Sequence, residues 1–503
     1  GDRDEILTTL LGDWLQFYGP VSFDFIRTTL GIENGPLMLA LEYLVDSQKL
    51  ITGQLVTDGP EDDFCDSENF EILLRMARAD AVPGFEPLDI EWLPLFLAQH
   101  QGLAKPESDI DGLAQRIEQL VCYPAPASLW ETEIFPARVQ TYSASWLDTL
   151  MQESDLRWVG TEKGRIAFCF ESDLDLMADE LNEGVPGASE SEIDDLLPDA
   201  AVRYDFPALL QVSKATSSEL ADRLWNAVWG GQVTNDTFIA LRRGIQNKFK
   251  VPAVTGSQTS AHSRGRRIGG RTGFARWKGA MPYSGNWFRL PRPEISDDLL
   301  ETEERRKDRA RLLLDRYGIL FRELLANESG SFRWAGIFRA LRLMELSGEV
   351  LAGYFFEGIP GPQFISPQAF RMLQRQLPAD AVYWINATDP VSLCGLQVDA
   401  IRGTLPKRVA GTHIVYRGKE PVSISQRNGK SLIFNCPPDD PQIQEYLGFL
   451  RHLLLREFQP LRRISIESIN GEEASRSPYV DALRIGFEVM IEHRQVVLYR
   501  QRG

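Results

Sequence analysis

The chain has 503 residues, of which 43% are hydrophobic, 10% aromatic and 25% charged, with 40 Gly and 29 Pro. These proportions exclude a disordered chain, a collagen and a disulfide scaffold, and no apolar run reaches the roughly 18 residues that a membrane helix needs. The formal net charge of -17, taken over the whole chain, argues against a nucleic-acid binder.

Length alone predicts about three domains or more. The chain starts at Gly1 rather than Met, as expected of a piece of something larger, and no leader pattern opens it. A cytoplasmic protein without a membrane partner is expected. In chain order, Glu5 to Phe17 sets Ile6, Leu7, Leu10, Leu11, Trp14 and Leu15 at helical spacing, and Gly19-Pro20 ends that helix. Ser22 suits the cap of a second helix over Phe23 to Leu30, which Gly31 breaks. A third runs from Asn34 through Val45, and Leu50 to Val56 follows as strand and wing. Three short helices and a hairpin make the winged-helix pattern, here over 1–80.

The ending of that unit recurs. Trp146 to Leu150 leads into a hairpin across Glu162-Lys163-Gly164, within a helical segment and second module over 81–172. Leu224, Trp225, Val228 and Trp229 before Gly230-Gly231 close a third module over 201–245, and Leu341, Met344 and Glu345 before Gly348 belong to a fourth over 286–375. Any mixed chain contains helix-turn-strand units, but a recurring ending favours a tandem array. A β-rich, winged-helix-like module over 376–503 follows, with Asn428-Gly429 as the turn of a hairpin and Ile464 to Ile469 as one alternating strand. The fold class is α+β: tandem winged-helix modules, then a β-rich C-terminal module.

The charge is segregated. Glu171 to Asp199 holds eleven acidic residues and no basic one, and predicts a solvated linker over 173–200, or a shield for the basic segment. Thr237 to Pro293 holds no Asp or Glu and twelve Lys and Arg, which leaves -29 on the rest. This reverses the inference from net charge. A Gly/Arg-rich segment over 246–285 is expected to hold DNA. The DNA-binding candidates are Arg242, Arg243, Arg264, Arg266, Arg267, Arg271, Arg276, Trp277 and Lys278: guanidinium groups pair with phosphate, and aromatic faces stack on unpaired bases. Pairing with an acidic surface of the same protein is the alternative.

Five Cys and five His are scattered, without C-x-x-C or H-E-x-x-H spacing, so no disulfide framework or zinc site is expected. Gly429-Lys430-Ser431 resembles the end of a phosphate loop, but Ile424 stands where the first Gly is needed and the context is a hairpin. No ATP site is visible. Glu357 and Asp389 are carboxylates at the ends of apolar strands, where an acid or base often sits. For Asp389 the alternative is capping, with Pro390 after it.

Several stretches carry a family resemblance: Pro87-Leu88 through Gln101-Gly102-Leu103, Phe135-Pro136-Ala137-Arg138, Trp225 to Asp236, Gly285-Asn286-Trp287-Phe288, Gly353 to Gly358 with Gln363-Phe364, Ala387-Thr388-Asp389-Pro390 and Asn428 to Leu432. Together they resemble the C-terminal region of the bacterial Lhr (large helicase-related) family, with similarity to the AlkZ-like DNA glycosylases. The resemblance implies a superfamily 2, ATP-dependent 3′ to 5′ DNA helicase acting in repair, whose motor, with its ATP and Mg, lies outside this chain. It implies tandem winged helices that oligomerise, to a tetramer, on single-stranded or forked DNA. It also implies a possible uracil-type glycosylase, for which the acid candidates are Asp389, Asp481 and Glu357. The AlkZ-like signature is a Q-x-Q or Q-x-D triplet, and the Q-x-Q match is Gln374-Arg375-Gln376, which reads as helical. A scaffold whose basic segment meets an acidic neighbour is the third reading.

Overall fold

The computed structural model describes residues 2–57, 59, 62–81, 84–183, 187–251, 283–293 and 298–501. The first module is built from helices Asp2–Leu15, Phe23–Leu30 and Asn34–Asp46, with short strands Val21–Ser22, Leu50–Gly53 and Asp63–Asp66. The Ser22 hydroxyl accepts from the Phe25 N–H at 3.3 Å, and Gly31 closes the second helix at φ +64°. Cap and left-handed stop thus fall where the sequence put them. Leu11, Leu15, Ile26, Leu37, Leu41, Leu44, Leu50 and Phe64 form its core.

Among the described residues one sheet topology occurs five times. In each three-stranded sheet the strand first in sequence lies at one edge and the last lies in the middle. The second sheet contains Ala125–Pro126, Leu156–Glu162 and Arg165–Phe170; the third contains Tyr204–Asp205, Val233–Asn235 and Asn286–Arg289. The fourth contains Ile319–Leu320, Leu351–Gly353 and Gln363–Ile365; the fifth, Ile464–Ile466, Glu488–Glu492 and Gln495–Tyr499. A helix precedes the hairpin each time: Ala144–Glu153, Ser217–Trp229, Trp334–Ser347 and Val480–Gly486. These are winged helices, and the chain ends in a sheet-rich region. The chain divides into two compact units, residues 1–86 with 342–351, and 87–341 with 352–503.

The acidic stretch is not the solvated linker expected over 173–200. It folds into helical turns Glu171–Met177, Ala178–Glu183 and Glu190–Leu196. The reason lies in its apolar residues: Leu174, Leu176, Met177, Ile193, Leu196 and Leu197 are buried. Its carboxylates take arginine partners, Asp194 with Arg289 at 2.8 Å, Asp179 with Arg309 at 2.8 Å and Glu190 with Arg292 at 3.1 Å. Two of those arginines end the basic stretch, so at that end the pairing is internal.

The third module does not end at 245. Asn286–Arg289 pairs antiparallel with both Tyr204–Asp205 and Val233–Asn235. In sequence, the basic segment therefore falls between the two strands of this module's hairpin, after helix Phe238–Gln246. Arg264, Arg266, Arg267, Arg271, Arg276, Trp277 and Lys278 fall outside the described residues.

A six-stranded sheet follows, ordered Val382–Asn386, His413–Arg417, Glu420–Gln426, Ser431–Phe434, Ser468–Ile469, Glu472–Glu473. The Asn428-Gly429 turn joins Gln426 to its partner Ser431, with Gly429 at φ +89°. Ile464 to Ile469 is not one strand. Ile464–Ile466 joins the last three-stranded sheet, while Ser468–Ile469 runs parallel to Ser431–Phe434. Glu467, whose N–H donates to the Lys430 carbonyl at 2.7 Å, marks the switch between sheets.

The second and third modules share one apolar core, with Trp130, Trp158 and Phe168 from one and Leu224, Trp225 and Trp287 from the other. The Thr234 hydroxyl donates to the Trp158 carbonyl at 2.6 Å, and the Trp158 indole donates to the Thr237 carbonyl at 3.2 Å. At Gly160 a Cβ would stand 2.0 Å from the Val228 carbonyl oxygen. Backbone cannot yield there as a side chain would. Gly160→Ala should therefore destabilise by at least about 2 kcal/mol, read as a lower urea midpoint at unchanged slope; an unchanged midpoint would show that the two modules do not pack this way.

Candidate functional site: a buried cluster of carboxylates, histidines and arginines

Trp130–Ile134 forms a single π-helical turn, an insertion that rotates side chains out of helical register. It turns Glu131 and Glu133 inward, only 1% and 4% exposed. An ionised carboxylate so deep must be paired. Glu131 accepts from Arg242 Nε at 2.7 Å and Nη2 at 2.8 Å, and from the Tyr142 hydroxyl at 2.6 Å. Arg242 Nη1 also meets both oxygens of Asp148 at 2.8 Å. Glu133 accepts from Arg456 Nη1 at 2.8 Å and from His413 Nε2 at 3.0 Å.

The two carboxyls are pushed apart. Burial raises Glu131 above its ordinary range, against the opposing pull of Arg242 and Tyr142. Burial acts on Glu133 too, but the attraction of His413 with His452 and Arg456 prevails and holds it low. His452 stacks on Trp384 with ring centres 4.9 Å apart, and its Nε2 lies 2.7 Å from the Thr132 carbonyl. A carbonyl only accepts, so Nε2 carries the proton and Nδ1 the lone pair. Burial lowers the pKa of His452 below the usual 6.5, which keeps the ring neutral at neutral pH. Glu131, Tyr142, His452 and Arg456 line a cleft of about 530 Å³, with Arg451 and Glu457 also on its wall. The site thus sets a neutral imidazole beside Arg451 and Arg456, the latter already on Glu133, in a cleft whose wall also carries Glu131 and Glu457.

Beside it lies a second ion pair. Arg138 is fully buried and donates to Asp389 through two bonds, at 2.8 and 2.7 Å, to Gln101 at 2.5 Å and to the Ile134 carbonyl at 2.9 Å. Asp389 also accepts from the Val391 N–H at 3.1 Å. The side chain of Asp389 thus closes a turn at Val391, but its main partner is Arg138, and as an acid it is sealed, 1% exposed with both oxygens taken. Asp481 is exposed on Val480–Gly486 and pairs with Arg484 at 2.9 Å. Glu357 is exposed, its N–H bonded to the Leu88 carbonyl at 2.8 Å. The structure does not bring the three acids together. Arg242, expected on DNA, has its guanidinium occupied by Glu131 and Asp148. Arg243 is half-buried on the same helix.

Gln374-Arg375-Gln376 is not wholly helical. Its helix, Pro367–Gln374, ends inside the triplet. Arg375 and Gln376 line a separate cleft of about 660 Å³ with His100, Arg116 and Asp315. Sequence reasoning missed Glu131, Glu133, Arg138, His413, His452 and Arg456. A usable signal existed: two Glu, two residues apart, between Leu129-Trp130 and Ile134-Phe135, so that apolar residues flank both carboxylates. Among the described residues no group of three His, Cys, Asp or Glu is set to hold a metal.

Fold and cluster define a tandem winged-helix region with a buried ionic core. Comparison with known proteins refines this. Residues 90–171 and 300–385 each match a family model described as the winged-helix domain of large helicase-related protein, and the chain is similar to proteins of that name. It is 28% identical over 501 residues to the "Lhr helicase/ probable uracil glycosylase" of Mycolicibacterium smegmatis, covering 95% of this chain and 32% of that relative. It is 28% identical over 400 residues to the "Lhr helicase/uracil glycosylase" of Escherichia coli, covering 75% of this chain and 25% of the relative. The chain thus spans a third or less of these relatives. Among solved structures, the Streptomyces sahachiroi DNA glycosylase AlkZ overlays 73% of this chain and 97% of its own, at a TM-score of 0.41 and 11% identity.

Arg138→Met strands a buried carboxylate and should cost about 3–5 kcal/mol in chemical denaturation, with part recovered in Arg138→Met/Asp389→Leu; a loss below 1 kcal/mol would mean Asp389 reaches solvent. The histidines set a pH dependence. His100 and His452 both titrate below 6.5 when folded, burial being the main cause. The unfolded chain then takes up protons first, so stability is level above about pH 7 and falls as pH drops below about 6.5. The melting temperature should follow that course, and His452→Gln should make the decline shallower. A melting temperature flat to pH 5 would contradict the burial of these rings.

Proposed function

We propose that this chain is the DNA-holding and oligomerising region of an ATP-dependent 3′ to 5′ DNA helicase that acts in repair. Its modules are read as the five winged helices, the last appended to the six-stranded sheet. ATP and Mg act in motor domains outside this sequence, and the DNA is single-stranded or forked. The observation that carries the reading is the placement of the basic segment. Thr237 to Pro293 holds twelve Lys and Arg without one acid; Arg242, Arg289 and Arg292 pair internally, and the other nine fall in sequence between two paired strands of a winged helix, the stretch in which this fold carries its wing. A wing and the preceding helix are what such modules offer to nucleic acid. Arg, Gly and aromatic residues in alternation suit a strand whose bases are unstacked. Assembly to a tetramer rests on the family resemblance and is read from sedimentation.

The test is fluorescence anisotropy on a labelled single strand across a salt series. Arg264→Ala/Arg266→Ala/Arg267→Ala/Arg271→Ala should bind more weakly, and its log K against log salt should flatten by about 0.7 for each phosphate that is no longer neutralised. An unchanged slope removes the segment from the interface.

A second reading is favoured by the cleft beside Glu131 and His452. Both relatives carry uracil glycosylase in their names, and such chemistry needs a flipped base held in a polar pocket. Alkali-induced cleavage of a uracil-containing oligonucleotide tests it, against a uracil-free control. Uracil-dependent cleavage lost in His452→Gln would assign the cleft. Loss instead in Asp389→Asn, Asp481→Asn or Glu357→Gln would assign that carboxylate.

A further inference from the structure

The first winged helix differs from what DNA requires. Residues 1–86 hold seventeen Asp and Glu against five Lys and Arg, a net charge of -12. Its third helix, Asn34–Asp46, contains no Lys or Arg. The outward face of that helix carries Met38, Leu39 and Tyr43, which are 48%, 69% and 65% exposed, with Glu42 and Asp46 between and beyond them. A face meant for phosphate would carry cations. This one is apolar and acidic.

Leu39 and Tyr43 line a groove of about 800 Å³ between this helix and Asp2–Leu15. Asp4, Glu5, Asp13 and Glu68 stand around it, all exposed, against Lys49, the one base among the described lining residues. The hydroxyls of Thr8 and Thr9, also on its wall, are turned to the carbonyls of Asp4 and Glu5 at 2.8 and 2.9 Å, so the exposed apolar part of the groove is Leu39 and Tyr43, set within an acidic and polar rim. Exposed apolar side chains gathered in one groove mark an interaction surface. Like charge disfavours a second copy of the same face.

We propose that this groove docks a basic amphipathic helix of a protein partner. Leucine-type anchors at i, i+3 or i+4, and i+7 enter between Leu39 and Tyr43, and flanking lysines or arginines face the acidic rim. The acid disfavours nucleic acid on this module. This inference does not depend on the DNA reading.

The test uses the full chain and a fluorescent 18-residue helical peptide, with leucines at that spacing and flanking lysines. A control carries glutamates in place of the lysines. Saturable binding of the lysine peptide is expected, at least tenfold tighter than the control and weakened by salt. Leu39→Ala/Tyr43→Ala should lose at least tenfold in peptide affinity and keep its DNA affinity and sedimentation, since both side chains are largely exposed and their loss leaves the core intact. Equal binding of the two peptides, or undiminished binding by the variant, overturns the proposal. So does a variant that falls apart as an oligomer, which makes the occupant a second copy, or one that loses DNA, which makes the helix a DNA reader.

Discussion

A guanidinium with no access to water holds together parts of the chain far apart in sequence. Arg138 sits at the end of the π-turn segment of the second winged helix, Asp389 at the end of the first strand of the six-stranded sheet, and Gln101 after the helix that precedes them both. Moving such a charge out of water is costly, and only the paired hydrogen bonds to Asp389 together with Gln101 and a backbone carbonyl offset that cost. Once that pair is made, the positions of the π-turn and of the strand are fixed relative to each other. Glu131 and Glu133 then have no choice but to turn toward Arg242 on one side and His413 and Arg456 on the other. The ionic core is one connected arrangement, in which each charge is tolerable because of its neighbours.

The stretches that carry the family resemblance meet one another in space. Phe135-Pro136-Ala137-Arg138, Gln101 and Ala387-Thr388-Asp389-Pro390 close the pair just described. Asp236, the last residue of one stretch, accepts both the N–H and the side-chain amide of Asn286 in another, at 2.8 and 2.7 Å. Leu88 exchanges backbone bonds with Phe355 and Glu357 at 3.0 and 2.8 Å. Gln363 accepts from the N–H groups of Phe355 and Phe356, at 3.0 Å each, and so organises the loop before its own strand. What reads as scattered polar residues is a set of long-range backbone and side-chain locks.

The modules share a fold and divide their electrostatics. The first is strongly acidic, and the third has a basic run in its hairpin. The acidic stretch between the second and third modules packs its apolar side inward and sets three of its carboxylates on Arg289, Arg292 and Arg309. A sheet of two or three short strands cannot bury much by itself, and the second and third modules accordingly complete one core between them. That shared core is why Gly160 has no room for a side chain.

The sequence by itself determined the local elements and their repetition. Caps, breaks and helical spacing around Ser22, Gly31 and Asn34 are local signals, as is the Asn428-Gly429 turn, and the four recurring helix endings marked winged helices because each ending is written within a few residues. It also determined where the charge lies. Only the tertiary structure decided which charges are available. Arg242 reads the same as any other arginine of the basic run, yet its partners stand 111 and 94 residues away. Asp389 reads as an acid or a cap until Arg138, 251 residues distant, takes both its oxygens. The strand that completes the third module lies beyond the whole basic segment, so no local pattern could assign it. Pairing across such separations depends on how the modules pack, and burial, which decides whether a charge meets solvent or a partner, comes into being only with that packing.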